Sequence, residues 1–270
     1  MIGRNKHLII YAVMGMILSL SAHGHEYWLQ PDQFIVQQDA LLQAHIKTGQ
    51  KFRGNNYAYL PRDVASMHMH LGDKTVPITS RFGDYPAISQ PAIGNGINIL
   101  SVTTHPTKLK YKKPGKFEAF VNDEGLDSVL AEHQKRGLPD TGFTEIYSRY
   151  TKSLVKVGNS PGDDYKVGHE FEWVLETNPY QPSRDTLSAQ LWWQGKVLAN
   201  HQFRYFIQTG KTLATDVART DDNGIAHFPF IPRSTYMLNA VIMLVPNKDD
   251  AKKYNAVWDS RWASTTFATN

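Results

Sequence analysis

Between Gln33 and Lys116 the chain alternates short apolar or every-other-residue runs with turn residues. Phe34-Ile35-Val36, Leu41 to Ile46, Ala65 to Leu71, Val76-Pro77-Ile78 and Ile97 to Thr103 read as strands. Gly72-Asp73, Gly83-Asp84 and Gly94-Asn95-Gly96 punctuate them as turns. The spacing predicts an antiparallel β-sandwich over residues 25–116. Gly49 to Asn56 and Pro61-Arg62-Asp63 read as loops.

At Phe117 the period changes. Phe117, Phe120, Leu126, Val129, Leu130 and His133 recur at helical spacings, and Gly137 with Pro139 would stop the helix. Glu145 to Val157 fits a helix or a strand, its β-branched and aromatic tail favouring a strand. Residues 117–157 are therefore expected to be a short helical connector between two β units.

The β pattern then returns over 158–270. Phe171 to Leu175, Leu187 to Trp193, Gln202 to Ile207, Thr215 to Ala218, Ile225 to Phe230, Tyr236 to Val245 and Ser260 to Phe267 read as strands. Asp221-Asp222-Asn223-Gly224 is a hairpin turn, because Asn and Gly supply the positive-φ positions that a tight turn needs. The expected fold is mainly β: two β-sandwich, immunoglobulin-like domains joined by the helical insert.

The first residues change this picture. Arg4 and Lys6 precede an apolar run from Leu8 to Leu20, which is the form of a secretory signal and too short for a comfortable membrane span. Ala22-His23-Gly24 offers small residues for cleavage before His25, and cleavage after Ala22 is the second choice. Residues 1–24 are expected to be removed on export to the periplasm, with membrane contact only through this segment.

Cysteine is absent, so no thiolate can hold a metal and no disulfide can brace the fold. Without residues 1–24 the chain carries 27 basic and 25 acidic residues, a net charge of +2 with no dense basic tract. Nucleic acid is not an expected partner.

The candidate chemistry centres on His25. Cleavage before it would leave an α-amine and an imidazole able to chelate copper or nickel. Cleavage after Ala22 would put His25 third, where amine, two amide nitrogens and imidazole can surround the same ions. Met67-His68-Met69-His70 offers further ligands, since on a strand His68 and His70 share one face. His45, His105, His201 and His227 read as surface or hydrogen-bonded β residues. Glu26 can orient a ring or stay solvated. Trp192, Trp193, Trp258 and Trp262 read as sandwich packing, and Arg149 as a junction residue tied to a carboxylate such as Glu124. No nucleophile elbow, phosphate loop, HExxH or paired-carboxylate motif is present.

Seven segments together resemble one family: His25-Glu26-Tyr27-Trp28-Leu29, Phe117 to Leu126, Glu145 to Gly158, Glu176 to Tyr180, Gly195 to Leu198, Arg219 to Phe228 and Trp258 to Phe267. It is a family of exported bacterial proteins classed as a domain of unknown function and labelled as periplasmic components of nickel or cobalt uptake systems. The resemblance implies a periplasmic metal-binding or delivery protein for nickel or cobalt uptake, with a metal-uptake transporter as partner; together with the residue chemistry above, the expectation is a non-enzymatic protein for nickel, cobalt or copper with His25, His68 and His70 as candidate ligands. Relatives often carry histidine where Ile242 stands; if that histidine binds metal in them, this chain has lost a ligand or uses another. The alternatives are a cell-envelope interaction module without metal and a copper monooxygenase with an amino-terminal histidine brace.

Overall fold

A computed structural model describes residues 25–181 and 185–270. The signal segment and cleavage sites expected over 1–24 lie outside the described residues. The chain is mainly β, as its alternating pattern requires. Its first part holds β1 (Glu26–Pro31), β2 (Ile35–Val36), β3 (Leu41–Gln50), β4 (Arg53–Tyr57), β5 (Val64–Leu71), β6 (Lys74–Pro77), β7 (Ile88–Pro91), β8 (Gly96–Thr104) and β9 (Thr107–Lys110).

Helices α1 (Lys116–Asp123) and α2 (Asp127–Lys135) follow. The sequence predicts one helix here and the structure has two. Gly125 takes φ 64° between them, a left-handed conformation that glycine adopts without a Cβ penalty. A Cβ there would strike the side chain of Gln202.

Then comes β10 (Thr144–Val157), the stretch whose periodicity fitted helix or strand. Both its faces are covered, and that is why its residues do not show the polar-out alternation of a half-exposed strand. The chain continues through β11 (Phe171–Leu175), β12 (Thr186–Trp193), β13 (Lys196–Val197), β14 (Gln202–Thr209), β15 (Thr212–Arg219), β16 (Ile225–Pro229), β17 (Thr235–Leu244), α3 (Lys248–Tyr254) and β18 (Trp258–Ala268). The Asp221 turn forms as expected: its Oδ1 accepts from the amides of Asn223 and Ile225, and Gly224 has φ 72°.

β10 joins the two parts. It pairs in parallel with β18, from Glu145 beside Trp258 to Ser153 beside Thr266, and in antiparallel fashion with β8 and β9. The result is one ten-stranded sheet in the order β15-β14-β17-β18-β10-β8-β5-β6, with β2 and β9 also on β10. Two smaller sheets, β1-β3-β4 with β7 and β11-β12-β13 with β16, pack against it.

The β1 sheet shares a core with the first part of the large sheet, where Leu29, Leu42 and Ile46 meet Met69, Leu100, Val102 and Val155. The β11 sheet shares another with the second part, where Phe171, Trp173 and Leu191 meet Phe203, Leu238 and Phe267. The helices cover Trp258 and Trp262 with Phe117, Phe120 and Val129.

β1 has a particular position. Its one ladder partner is β3, and its other edge rests on the β10–β18 seam. Leu29 enters the core beside β8, whereas Trp28, its neighbour in sequence, enters a separate cluster with Phe206 and Met237. Alternation along β1 thus anchors it on both sides.

Candidate functional site at the start of the first strand

Ser264 and Thr266 fix β1 from below. Their hydroxyls donate to the carbonyls of Tyr27 and Leu29, at 2.6 Å in each case. These bonds take the place of a second ladder on β1's free edge, so its buried carbonyls keep partners. Arg149, on β10, extends the anchoring upward by donating from Nη2 to the His25 carbonyl at 3.3 Å. Its guanidinium lies 5.3 Å from the Tyr27 ring centroid, 4.3 Å from that of Tyr147 and 5.9 Å from that of Trp262. The expected tie between Arg149 and Glu124 gives way to this aromatic setting.

His25 is exposed at the head of β1, on the rim of a cavity of about 540 Å³. The cavity is lined by Thr48, Gln50, Arg53, Asn55 and Tyr57, with the backbone of Gly49 and Gly54 as part of its wall. These residues belong to the β3–β4 hairpin, which the sequence presents as a loop. Its Lys51-Phe52 turn lacks the usual glycine or asparagine, yet both residues have positive φ, 52° and 57°. Gly49 faces Gly54 across the hairpin so closely that a Cβ on either would strike backbone. Phe52 is held from below, 5.4 Å from Trp28 and 6.2 Å from Phe206 between ring centroids.

On the other face of β1 lies a carboxyl cluster: Glu26, expected to orient a ring or stay solvated, is buried there, and no sequence pattern brings it together with Glu124. Arg204 pairs with Asp123 at 3.1 Å, and Glu26 and Glu124 are buried within its field. Burial pushes Glu26 up to about 7, against the lowering influence of its own amide, Arg204 and the Lys51 amide. Burial pushes Glu124 up to about 8. One Glu26 oxygen is buried without a hydrogen-bond partner, which adds to the cost of charging it.

His68 and His70 do share one face of β5, with ring centroids 6.0 Å apart. They stand beside Ser101 of β8, not beside His25. Both ring nitrogens of His70 are engaged, Nδ1 with Thr75 Oγ1 at 3.0 Å and Nε2 with Ser101 Oγ at 2.8 Å. Burial pushes His70 down to about 4, helped by His68 and Lys152. Among the described residues no group of three or more His, Asp or Glu is placed to hold a metal ion.

Three other histidines have structural partners. His45 lies 3.3 Å from Asp32, His201 Nε2 lies 2.8 Å from the Val241 carbonyl, and His133 Nδ1 accepts from Trp258 at 2.9 Å. A buried ion pair sits under β10: Lys152 Nζ meets Asp164 at 2.8 Å and the Tyr165 carbonyl at 3.0 Å. It clamps the loop before β11 onto the large sheet.

Fold and site together define a mainly β protein whose first strand is bolted into a shared central sheet and opens, at His25, onto a polar groove. The chain belongs to the family described as a domain of unknown function, DUF4198, whose profile matches residues 22–243. Among curated proteins none matches it. Among solved structures it is similar to the crystal structure of a tetra-tandem repeat in the extending region of a large adhesion protein. That likeness has 9% identity and a TM-score of 0.22, over 90% of this chain and 49% of the other, so the chain spans about half of that structure's length. Among the described residues no helix is long and apolar enough to cross a membrane.

Proposed function

We propose that the chain is an exported, non-enzymatic metal-binding or delivery protein of the periplasm, serving nickel, cobalt or copper uptake with a transporter as partner. In this reading its two β units are immunoglobulin-like sandwiches sharing the central sheet, and its capture site is the amino terminus created when the signal is removed. The observation that carries the reading is the placement of His25: exposed, at the groove rim, on a strand fixed at both faces and along its free edge. An α-amine and imidazole on a pre-positioned residue lose little freedom on closing around an ion. Thr48, Gln50, Asn55 and Tyr57 supply neutral oxygens close by. His68 and His70 form a separate pair, in which His70 would have to leave two hydroxyl partners to bind metal.

The second reading is an envelope interaction module without metal; among the described residues no three-residue ligand group forms. A monooxygenase brace would require another histidine beside His25, and none lines the groove among the described residues.

Intact mass and amino-terminal sequencing of the exported protein, followed by titration of that form with nickel, cobalt and copper, separate these readings. The expected result is a terminus at His25 or His23 and stoichiometric binding lost in His25→Ala. A terminus upstream of His23, or no metal-dependent signal at micromolar ion, sinks the metal reading.

A further inference from the structure

Beyond His25 and neutral oxygens, the groove offers a bare divalent ion nothing to offset its charge. Its lining contains no Asp or Glu, and its one fixed charge is the positive Arg53. A hydrated cation entering there meets a like charge and no carboxylate. The cavity of about 540 Å³ is also of the size that takes a small organic molecule.

The polar side chains are meanwhile free to bind. Thr48, Gln50, Asn55 and Tyr57 make no side-chain hydrogen bond within the described residues, and Arg53 has no ion-pair partner there. This contrasts with His70, whose ring is fully engaged, and with Arg204, which is paired. Amide, hydroxyl and guanidinium groups converging without internal partners match a ligand rich in oxygen acceptors and negative in charge.

The backbone of Arg53 is held in place, while its side chain is exposed. Arg53 follows Phe52, whose ring is locked against Trp28 and Phe206, so the start of β4 is fixed from the core outward. Gly49 and Gly54, which let the two strands of the hairpin approach each other closely, contribute backbone to the wall. Glu26, Asp123 and Glu124 do not reverse the sign of the groove, because adjacent residues of a strand face opposite ways and these carboxyls gather around Arg204 with Glu26.

We infer that the groove takes its metal as an anionic chelate, an ion already bound by a small polycarboxylate, and not as the free ion. Arg53 binds a carboxylate of the chelator through its guanidinium fork, while Gln50, Asn55, Thr48 and Tyr57 bond its remaining oxygens. His25 supplies nitrogen to the metal by displacing a coordinated water. The inference rests on the metal reading of His25 given above and adds to it the class of molecule recognised.

The test uses the exported, processed chain and three probes: nickel chloride, the singly negative nickel–citrate complex, and citrate alone. Calorimetric titration is run on the native protein, Arg53→Gln, Arg53→Lys and His25→Ala, with thermal unfolding as the control for folding. Nickel–citrate is expected to bind at least about ten-fold more tightly than nickel chloride. Arg53→Gln should abolish that preference by weakening nickel–citrate while nickel chloride binds no less tightly, because a like charge beside the cation is gone; Arg53→Lys should keep part of the preference, since an ammonium holds a carboxylate without the fork. Equal affinity for nickel chloride and nickel–citrate, or an equal loss of both in Arg53→Gln, overturns the inference and leaves the metal reading intact. Citrate alone binding as tightly as its nickel complex, with His25→Ala unaffected, overturns the chelate as ligand. Failure of both nickel probes to bind overturns the metal reading itself.

Discussion

The Thr266 hydroxyl donates to the carbonyl of Leu29 at 2.6 Å, across 237 positions of sequence, and lies 2.9 Å from the Ser153 hydroxyl. Ser264 does the same for Tyr27 and lies 2.9 Å from Thr151. Hydroxyl residues on β10 and β18 thus form a seam that receives the edge of β1 and so determines where His25 stands.

Thr266→Val keeps the shape of the side chain and removes the donor. With the Leu29 carbonyl and Ser153 left short of a partner in a buried place, unfolding stability should fall by about 1–3 kcal/mol, whereas Thr266→Ser should lose much less. Urea unfolding measures both. An unchanged midpoint in Thr266→Val would mean that the seam does not hold β1.

Lys152 tests the clamp under β10. Its ammonium is 1% exposed and Asp164 is fully buried at 2.8 Å, with Glu172 at 3.8 Å. Lys152→Met leaves two carboxylates in the interior without their cation and should cost about 3–5 kcal/mol. Adding Asp164→Asn should recover part of that loss. Denaturant titration of the single and double variants gives the comparison, and a double variant no more stable than Lys152→Met contradicts the account.

Stability should respond to pH in two opposed ways. His70, lowered by burial to about 4 from 6.5, is neutral in the fold; its contribution is whole above pH 6.5 and is lost as pH falls toward 4, where the unfolded chain binds the extra proton. Glu145 runs the other way. Burial raises it to about 7 from 4.5, over the lowering hydrogen bonds from Ser260 and Tyr111. The fold therefore holds a proton that the unfolded chain releases between pH 4.5 and 7, and this contribution declines as pH rises through that window. Glu145→Gln should make the alkaline decline shallower, with the remainder carried by Glu26 and Glu124, and leave the acid decline in place. Unfolding midpoints at a series of pH values show whether the two limbs separate.

Local chemistry was legible where a residue acts on its neighbours. The Asp221 turn declares itself because the carboxylate bonds amides two and four residues on. Alternation exposed most strands and the mainly β class. It failed at β10 because both faces are buried, which leaves no polar side to count, and it ran two helices together because a single Gly125 can lie inside or after a helix. The parallel pairing of β10 with β18 joins residues more than a hundred apart, and no local period encodes it. At the site, His25 stood out by its place after the expected signal. Arg53, Gln50 and Asn55 did not, because their hairpin turns on Lys51 and Phe52, residues that carry no turn signature.

That turn offers the sharpest test of how the groove is built. Lys51 and Phe52 hold nearly the same left-handed conformation, at φ 52° and 57°, which costs a side chain of either kind roughly 1–2 kcal/mol. Only Phe52 is compensated, by its contacts with Trp28 and Phe206. Relief of the same strain should therefore act with opposite sign at the two positions. Lys51→Asn should stabilise by about 0.5–1 kcal/mol, since asparagine tolerates positive φ. Phe52→Gly removes the strain and the ring together and should destabilise by about 1–3 kcal/mol, because the lost packing outweighs the relief. Thermal unfolding of the two variants reads the signs directly. If Phe52→Gly proves neutral or stabilising, the ring does not hold the hairpin, and Arg53 loses its claim to be positioned from the core.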